Sequence, residues 1–406
     1  MRCKIVLSTT VFLVLTILTL SIAPAYAKEV RGVTNDTIKV GVIGPTTGPI
    51  ATIGLQILEG ITNNSRYINE KGGIHGRKIK LFKEDCGYAI PRAIAAYKKL
   101  VYKNKIFDLL LGSSTGFMKL TARHCDKDKL PFITSALSES MIPPKSPFHK
   151  YVFFGLGCYS DGIRLMFDYI INDLKEENPR IAYVYPDNEM GKAGLDRSRE
   201  CAKLHGIKLV AEEVLNPGAV EATSQVLKIK RAKADYVIMH LYYGLSACFL
   251  RESKKYGYSP KKFFGTSVSC GTPVVRMARK AAKNFVPINY FAEWHMDTPG
   301  MKDLREITLG YKPGTETPHR SSYYVQGWVM SMLHEEGLKR AGRDLTPESM
   351  VKGLESLKGF STGGISGSIT YSSNDHHGFR YNRFYKTDVE KGLLIPLTDW
   401  RKAGTP

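Results

Sequence analysis

Ile38-Lys-Val-Gly-Val-Ile-Gly44, together with the helix-period stretch 53–71 that follows it, decides the fold. The first is a short run rich in β-branched apolar residues, which reads as a buried strand. The second carries apolar residues at helical spacing and is closed by Gly72-Gly73, a helix stop. The unit then recurs as strand 79–84, helix 91–103, strand 108–112, helix 115–129 and strand 131–135. Short strands alternating with longer helices form parallel sheets with helical crossovers. Pro143-Pro144-Lys-Ser-Pro147 is too proline-rich for an element interior, and the pattern restarts beyond it. Helices 161–175, 190–204, 221–232 and 245–256 alternate with strands 180–185, 208–214, 235–241 and 263–266. Two successive arrays predict two Rossmann-like lobes. Helical stretches near 301–310, 321–339 and 347–357 follow, and β segments around 365–371 and 379–386 close the chain.

Met1-Arg-Cys-Lys4 carries positive charge only, and residues 5–27 carry none. The apolar run ends in Ala25-Tyr26-Ala27, the small-residue pattern of a signal-peptide cleavage site, so removal before Lys28 is expected. An uncleaved anchor helix is the competing reading. Cys3 precedes the apolar run and no Leu-x-x-Cys follows it, which argues against lipidation. Removing 27 of the 406 residues leaves 379, enough for two lobes. The net charge of +20 becomes +18 once Arg2 and Lys4 leave. In a cytoplasmic protein such a balance would suggest nucleic acid, but export removes that partner and the lysines are dispersed along the chain. Cys86, Cys125, Cys158, Cys201, Cys248 and Cys270 would enter a compartment where disulfides persist. No spacing among them resembles a metal knuckle, and no bridge is assigned. His124, His205 and His240 are isolated, so neither a metal nor a cofactor is expected.

In open α/β sheets a ligand sits beyond the carboxyl ends of the strands, which makes the strand exits the loops to read. Gly112-Ser113-Ser114-Thr115-Gly116 leaves an apolar strand and enters a helix. Helix amides and hydroxyls there favour an anion, although Ser and Thr are equally ordinary caps. Ser135-Ala136-Leu137-Ser138 follows the next strand, and two such exits in one lobe point to a carboxylate pocket. The first loop also fits the Gly-x-Ser-x-Gly elbow of α/β-hydrolases, with Ser114 as nucleophile and Asp375 with His376 or His377 completing a triad. Against that rival, no His-Gly-Gly-Gly oxyanion loop is present, and Asp375-His376-His377 reads as an exposed hairpin turn.

Thr46-Thr47-Gly48-Pro49, then Gly72-Gly73-Ile74-His75-Gly76-Arg77 and the strand ending Glu84-Asp85, resemble the N-terminal signature of the branched-chain amino-acid-binding family. These are type I periplasmic receptors related to the leucine/isoleucine/valine-binding protein. The order of elements is collinear with that family over essentially the whole mature chain, including Lys352-Gly-Leu-Glu-Ser-Leu-Lys-Gly-Phe360. The resemblance implies the α/β type I periplasmic-binding-protein fold: two Rossmann-like lobes with parallel sheets, joined by a three-strand hinge, that close on a ligand. The expected division is 1–27 signal peptide, 28–152 plus 290–357 for one lobe, and 153–289 plus 358–406 for the other.

The resemblance also implies binding without bond-making, in the periplasm, by a monomer that delivers a small carboxylate-bearing solute to the membrane permease of an ABC importer. A receptor reporting ligand to a signalling partner is the alternative. Carried over by position, the ligand carboxylate would meet Ser114 or Thr115, and Ala136 and Ser138. The second lobe departs from the family pattern. Met190 stands where an aromatic usually precedes Gly191, Ile53 where an aromatic usually precedes Gly54, and Ser267 where an acid commonly pairs with the ligand ammonium. Asp161 and Tyr242 or Tyr243 remain as contacts. A buried ammonium without its carboxylate costs on the order of 3 to 5 kcal/mol. The ligand therefore either lacks the amine or is held by a relocated acid such as Asp161.

Overall fold

The computed structural model describes residues 29–403 apart from 113, 137, 144 and 312–319. The expected signal peptide lies outside the described residues, among which no helix is long and apolar enough to cross a membrane. The first sheet is wholly parallel, in the order β2-β1-β3-β4-β5. Its strands are β1 (Thr37–Gly44), β2 (Lys78–Asp85), β3 (Asp108–Leu111), β4 (Phe132–Thr134) and β5 (Val152–Phe154). The crossovers are α1 (Ala51–Glu70), α2 (Ile90–Lys98) and α3 (Thr115–Asp128). β3 and β4 are buried along their whole length, which is why both read as unbroken apolar runs instead of alternating ones.

The second sheet has a parallel body of β7, β6, β8, β9 and β10, extended antiparallel by β11 and β12, with β13 also on β11. Its strands are β6 (Ile181–Tyr185), β7 (Leu209–Val214), β8 (Tyr236–Met239), β9 (Lys262–Gly265), β10 (Phe285–Asn289), β11 (Tyr381–Asp388), β12 (Leu393–Pro396) and β13 (Arg401–Lys402). The helices among them are α4 (Tyr159–Asp168), α5 (Glu189–Leu204), α6 (Thr223–Arg231), α7 (Tyr243–Lys255) and α8 (Thr272–Ala278). The two-lobed α/β architecture read from the sequence is the one observed. The proline-rich break does not end the first sheet, however, because β5 follows it and pairs with β4. The expected strand at 365–371 is reduced to isolated bridges such as Phe360 to Ile369.

The chain then returns through α9 (Pro299–Gly310), α10 (Ser322–Ala341) and α11 (Pro347–Glu355). α10 packs along α1 of the first sheet. The contact is backbone to backbone: a Cβ on Gly327 would stand 2.0 Å from Ile57 O, and one on Gly60 would stand 2.2 Å from Tyr324 O. Ser65 and Ser331 share a buried hydrogen bond of 3.3 Å between the same helices. His334 Nε2 on α10 reaches Asp108 Oδ2 on β3 at 2.7 Å, both side chains being buried. The Gly-Gly-Ile-His-Gly-Arg signature is a two-residue hairpin turn. His75 and Gly76 both take positive φ, 51° and 82°, while Ile74 and Arg77 exchange both backbone hydrogen bonds at 2.8 and 2.9 Å, the arrangement that favours Gly at its second position. All six cysteines in the described residues are buried and no disulfide joins them.

Because the α1–α10 contact leaves no room for a methyl group, Gly327→Ala should lower stability by about 1–3 kcal/mol in urea unfolding. Gly310→Ala, at a helical position where a Cβ meets nothing within 4 Å, should be neutral or slightly stabilising. Equal urea midpoints for the two variants would refute the close approach.

Candidate ligand cavity

The exits of both sheets converge on one cavity of about 80 Å³. From the first sheet it is walled by Pro45 after β1, Ile50 before α1, Ile53 and Ile57 in its first turns, Tyr88 after β2, Leu111, Gly112, Ser114 and Thr115 at the β3–α3 turn, and Ser135 and Ala136 after β4. From the second come Tyr159, Met190, Tyr242, Ser267, Val268 and the crossing segment Asn289-Tyr290-Phe291. Ser322, Tyr323 and Gln326 on α10 complete it, and no Asp, Glu, Lys, Arg or His lines it among the described residues.

Seven of the nine residues singled out in the sequence meet here: Ile53, Ser114, Thr115, Ala136, Met190, Tyr242 and Ser267. Ser114 Oγ is occupied as the α3 N-cap and accepts from Phe117 N at 3.2 Å. The Thr115 hydroxyl is buried and has no hydrogen-bond partner. Beside it, the amides of the first α3 turn have no intrahelical acceptor by helix geometry. The Ala136 amide donates to Thr134 Oγ1 at 3.2 Å, which leaves the residue a wall without a donor. Ser267 lies against the Tyr290 hydroxyl and Asn289 against the Cys270 thiol. Ser113 and Leu137 of the same loops lie outside the described residues.

Two residues do not reach the cavity. Ser138 caps the 3-10 turn Glu139–Met141, accepting from Ser140 N at 3.3 Å. Asp161, in the first turn of α4, faces His377 instead, at 3.4 Å from Nε2. That nitrogen already accepts from Cys158 N at 3.1 Å, and Asp161 Oδ2 forms no hydrogen bond. Burial, only partly opposed by Arg380 and Arg164, pushes the Asp161 carboxyl up to about 6. The acid that could have replaced the missing ammonium partner is thus outside the cavity lining. The triad reading fails on the same geometry. His377 is spent on Cys158 N, and His376 stacks on Phe153 and bonds Val152 O at 2.8 Å. Asp375 holds Arg380 and the His377 amide. Far from being an exposed turn, both histidines are buried.

Tyr88 was not foreseen as a wall residue. Its hydroxyl meets that of Tyr242 at 2.5 Å with the rings edge-on, 6.1 Å apart. Tyr88 (φ 60°) and Leu111 (φ 80°) hold left-handed backbones on the cavity wall, at a cost of about 1–3 kcal/mol each. Behind the wall, His240 bonds Thr266 Oγ1 at 2.8 Å and packs edge-on to Tyr159. Burial lowers the His240 pKa to about 3, so the ring is neutral. The two halves also touch outside the cavity, through Lys119–Glu189 at 2.6 Å, Lys145–Glu200 at 3.2 Å and Arg197–Glu139.

Residues 37–392 match the sequence profile of a family described as periplasmic binding protein. The chain belongs to that family. This periplasmic binding protein is of the type I, branched-chain amino-acid branch. It is 22% identical over 312 residues to the Leu/Ile/Val-binding protein homolog 7 of Brucella abortus, covering 75% of this chain and 77% of that protein. It is 26% identical over 260 residues to the Leu/Ile/Val/Thr-binding protein of Salmonella typhimurium, covering 63% and 69%. Its fold superposes on a branched-chain amino-acid ABC transporter protein from Thermus thermophilus with bound valine, at a TM-score of 0.83, 21% identity and 91% and 97% coverage. A fatty acid ABC transporter substrate-binding protein from Thermomonospora curvata superposes at 0.81, with 20% identity and 92% and 95% coverage. The family is extracytoplasmic, and its members bind solutes without transforming them.

A carboxyl whose pKa is raised by folding destabilises the fold while it is ionised and stops doing so once protonated. Asp161→Asn should therefore raise the unfolding free energy at pH 8 by on the order of 2–3 kcal/mol, with the gain gone by about pH 4. A gain independent of pH in calorimetric scans would contradict the buried, ionisable assignment.

Proposed function

We propose that this protein is the substrate-binding component of an ABC importer, closing on a small carboxylate without an α-amino group and handing it to a membrane permease. The division into lobes at 28–152 plus 290–357 and 153–289 plus 358–406 belongs to the same proposal. The observation that carries it is the Thr115 hydroxyl, buried and unpartnered at the amino end of α3, in a cavity with no charged side chain in its described lining. Hydroxyl, first-turn amides and helix dipole together suit a carboxylate. Among the described lining residues no carboxylate is present to pair with an ammonium.

The remaining wall is apolar or phenolic, from Ile50, Ile53, Leu156, Met190, Val268 and Phe291 to Tyr159 and Tyr290. About 80 Å³ leaves room for roughly five to eight water-sized atoms at ~10–15 Å³ each. That suits a short or branched aliphatic acid or oxo-acid. The relatives named for branched-chain amino acids and for fatty acids share the carboxylate and the apolar tail, and this cavity retains the groups suited to both.

Titration calorimetry should find 3-methyl-2-oxobutanoate or isovalerate at least about tenfold tighter than valine, the difference an unpaired ammonium would impose. Valine binding more tightly than both acids would overturn the reading. Thr115→Val should weaken the acid by about three- to tenfold with the thermal midpoint held, since no protein partner is lost; unchanged affinity would remove Thr115 from the site.

A further inference from the structure

We infer that Tyr88 and Tyr242 form a phenol bridge across the cleft that sets the largest ligand the protein accepts and fastens it shut around that ligand. The inference rests on the functional reading above but concerns the opposite end of the ligand. Tyr88 stands in the loop after β2, and Tyr242 immediately precedes α7 as its N-cap residue. The two rings therefore come from the two sheets, and their hydroxyls meet at 2.5 Å in the closed arrangement. Burial pushes the pKa of both phenols above the usual tyrosine value. Both stay protonated, and one donates while the other accepts. The bridge lies on the cavity wall, so a longer ligand must part it.

The loop is built to aim Tyr88 inward. Gly87 and Tyr88 are consecutive left-handed residues, at φ 54° and 60°, a conformation an aromatic residue adopts only when its surroundings hold it. Asp85 does the holding. Its Oδ1 accepts from Gly87 N at 3.0 Å and Thr46 N at 2.8 Å, and its Oδ2 from the Thr47 hydroxyl at 2.6 Å and Arg92 at 2.7 Å. The partial burial of Asp85 works to raise its pKa, but the Thr47 hydroxyl and these amides outweigh it and hold the carboxyl well below the usual range. Tyr242 is fixed from its own side, as the N-cap residue whose carbonyl accepts from Ser246 N at 2.8 Å. The bridge thus joins two pre-set rings, and only ligands short enough to sit beneath it leave it intact.

The test compares wild type, Tyr88→Phe, Tyr242→Phe, the double variant and Tyr88→Gly by calorimetry. The probes are isovalerate, hexanoate and octanoate, with leucine, 2-aminooctanoate and the corresponding neutral amides as matched series. Glycine suits the left-handed backbone at this position, so Tyr88→Gly should keep its fold, checked by an unchanged thermal midpoint. Each Phe variant should lose about three- to tenfold in affinity for isovalerate, with the double variant no worse than either single, as for one shared hydrogen bond. Tyr88→Gly should raise the octanoate-to-isovalerate affinity ratio at least about tenfold. Additive Phe losses, or a Tyr88→Gly variant that weakens short and long ligands alike, would overturn the bridge. Wild type binding amino acids but not acids would sink the functional reading alone, because the length ratio is then read on the amino-acid series. Binding of no probe by wild type would remove both.

Discussion

Parallel strands joined by helical crossovers deliver all their outgoing loops to one edge of the sheet, and everything distinctive about this molecule follows from two such edges facing each other. The exits of β1 to β4 supply Pro45, Tyr88, Leu111 and Ala136, while those of β6, β8 and β9 supply Met190, Tyr242 and Ser267. Brought edge to edge, they enclose a space neither half could hold alone. The first sheet keeps its shape because α10 comes back to lie on α1 at glycine contact distance, which ties the late chain to the early strands.

Much of this was legible from residue pattern. The β3–α3 turn announced itself, because an apolar run followed by Gly-Ser-Ser-Thr-Gly cannot continue as strand and caps a helix readily. What the sequence could not show is how the hydroxyls are divided. Ser114 is spent on capping and Thr115 is left over, a difference of one rotamer and one register step. Asp161 was visible as an acid at a helix start, but its partner His377 arrives from far along the chain, and no local signal links them. β10 was missed for a physical reason. Phe285-Val-Pro-Ile-Asn289 carries Pro287 in the interior of the sheet, opposite Gly265, and proline ordinarily argues against an inner strand. β5, three residues long after a proline cluster, offered too little period to detect. Tyr88 was invisible as a wall residue because nothing in Cys-Gly-Tyr reveals that the tyrosine backbone turns left-handed.

The cavity is neutral by construction, although the chain carries a formal +20. Charged side chains that bring the halves together lie outside it, and Lys119 and Glu189 are each about half exposed, where water and salt reduce their worth to about 0–1 kcal/mol. Selectivity is left to hydroxyls, amides and shape. The Arg197–Glu139 pair between the same halves is more enclosed, the Arg197 side chain being only 6% exposed.

The six cysteines have a practical corollary. Cys86, Cys125, Cys158, Cys201, Cys248 and Cys270 are each at most 7% exposed. Burial lifts the Cys201 thiol to about 11 and that of Cys158 to about 12, so in the native state thiolate is scarce as well as out of reach. An alkylating reagent meets these sulfurs only when the surrounding packing opens. The rate of labelling at each position is then a clock for local unfolding, with probes already installed on α3, α5 and α7, after β2, and just before α4 and α8.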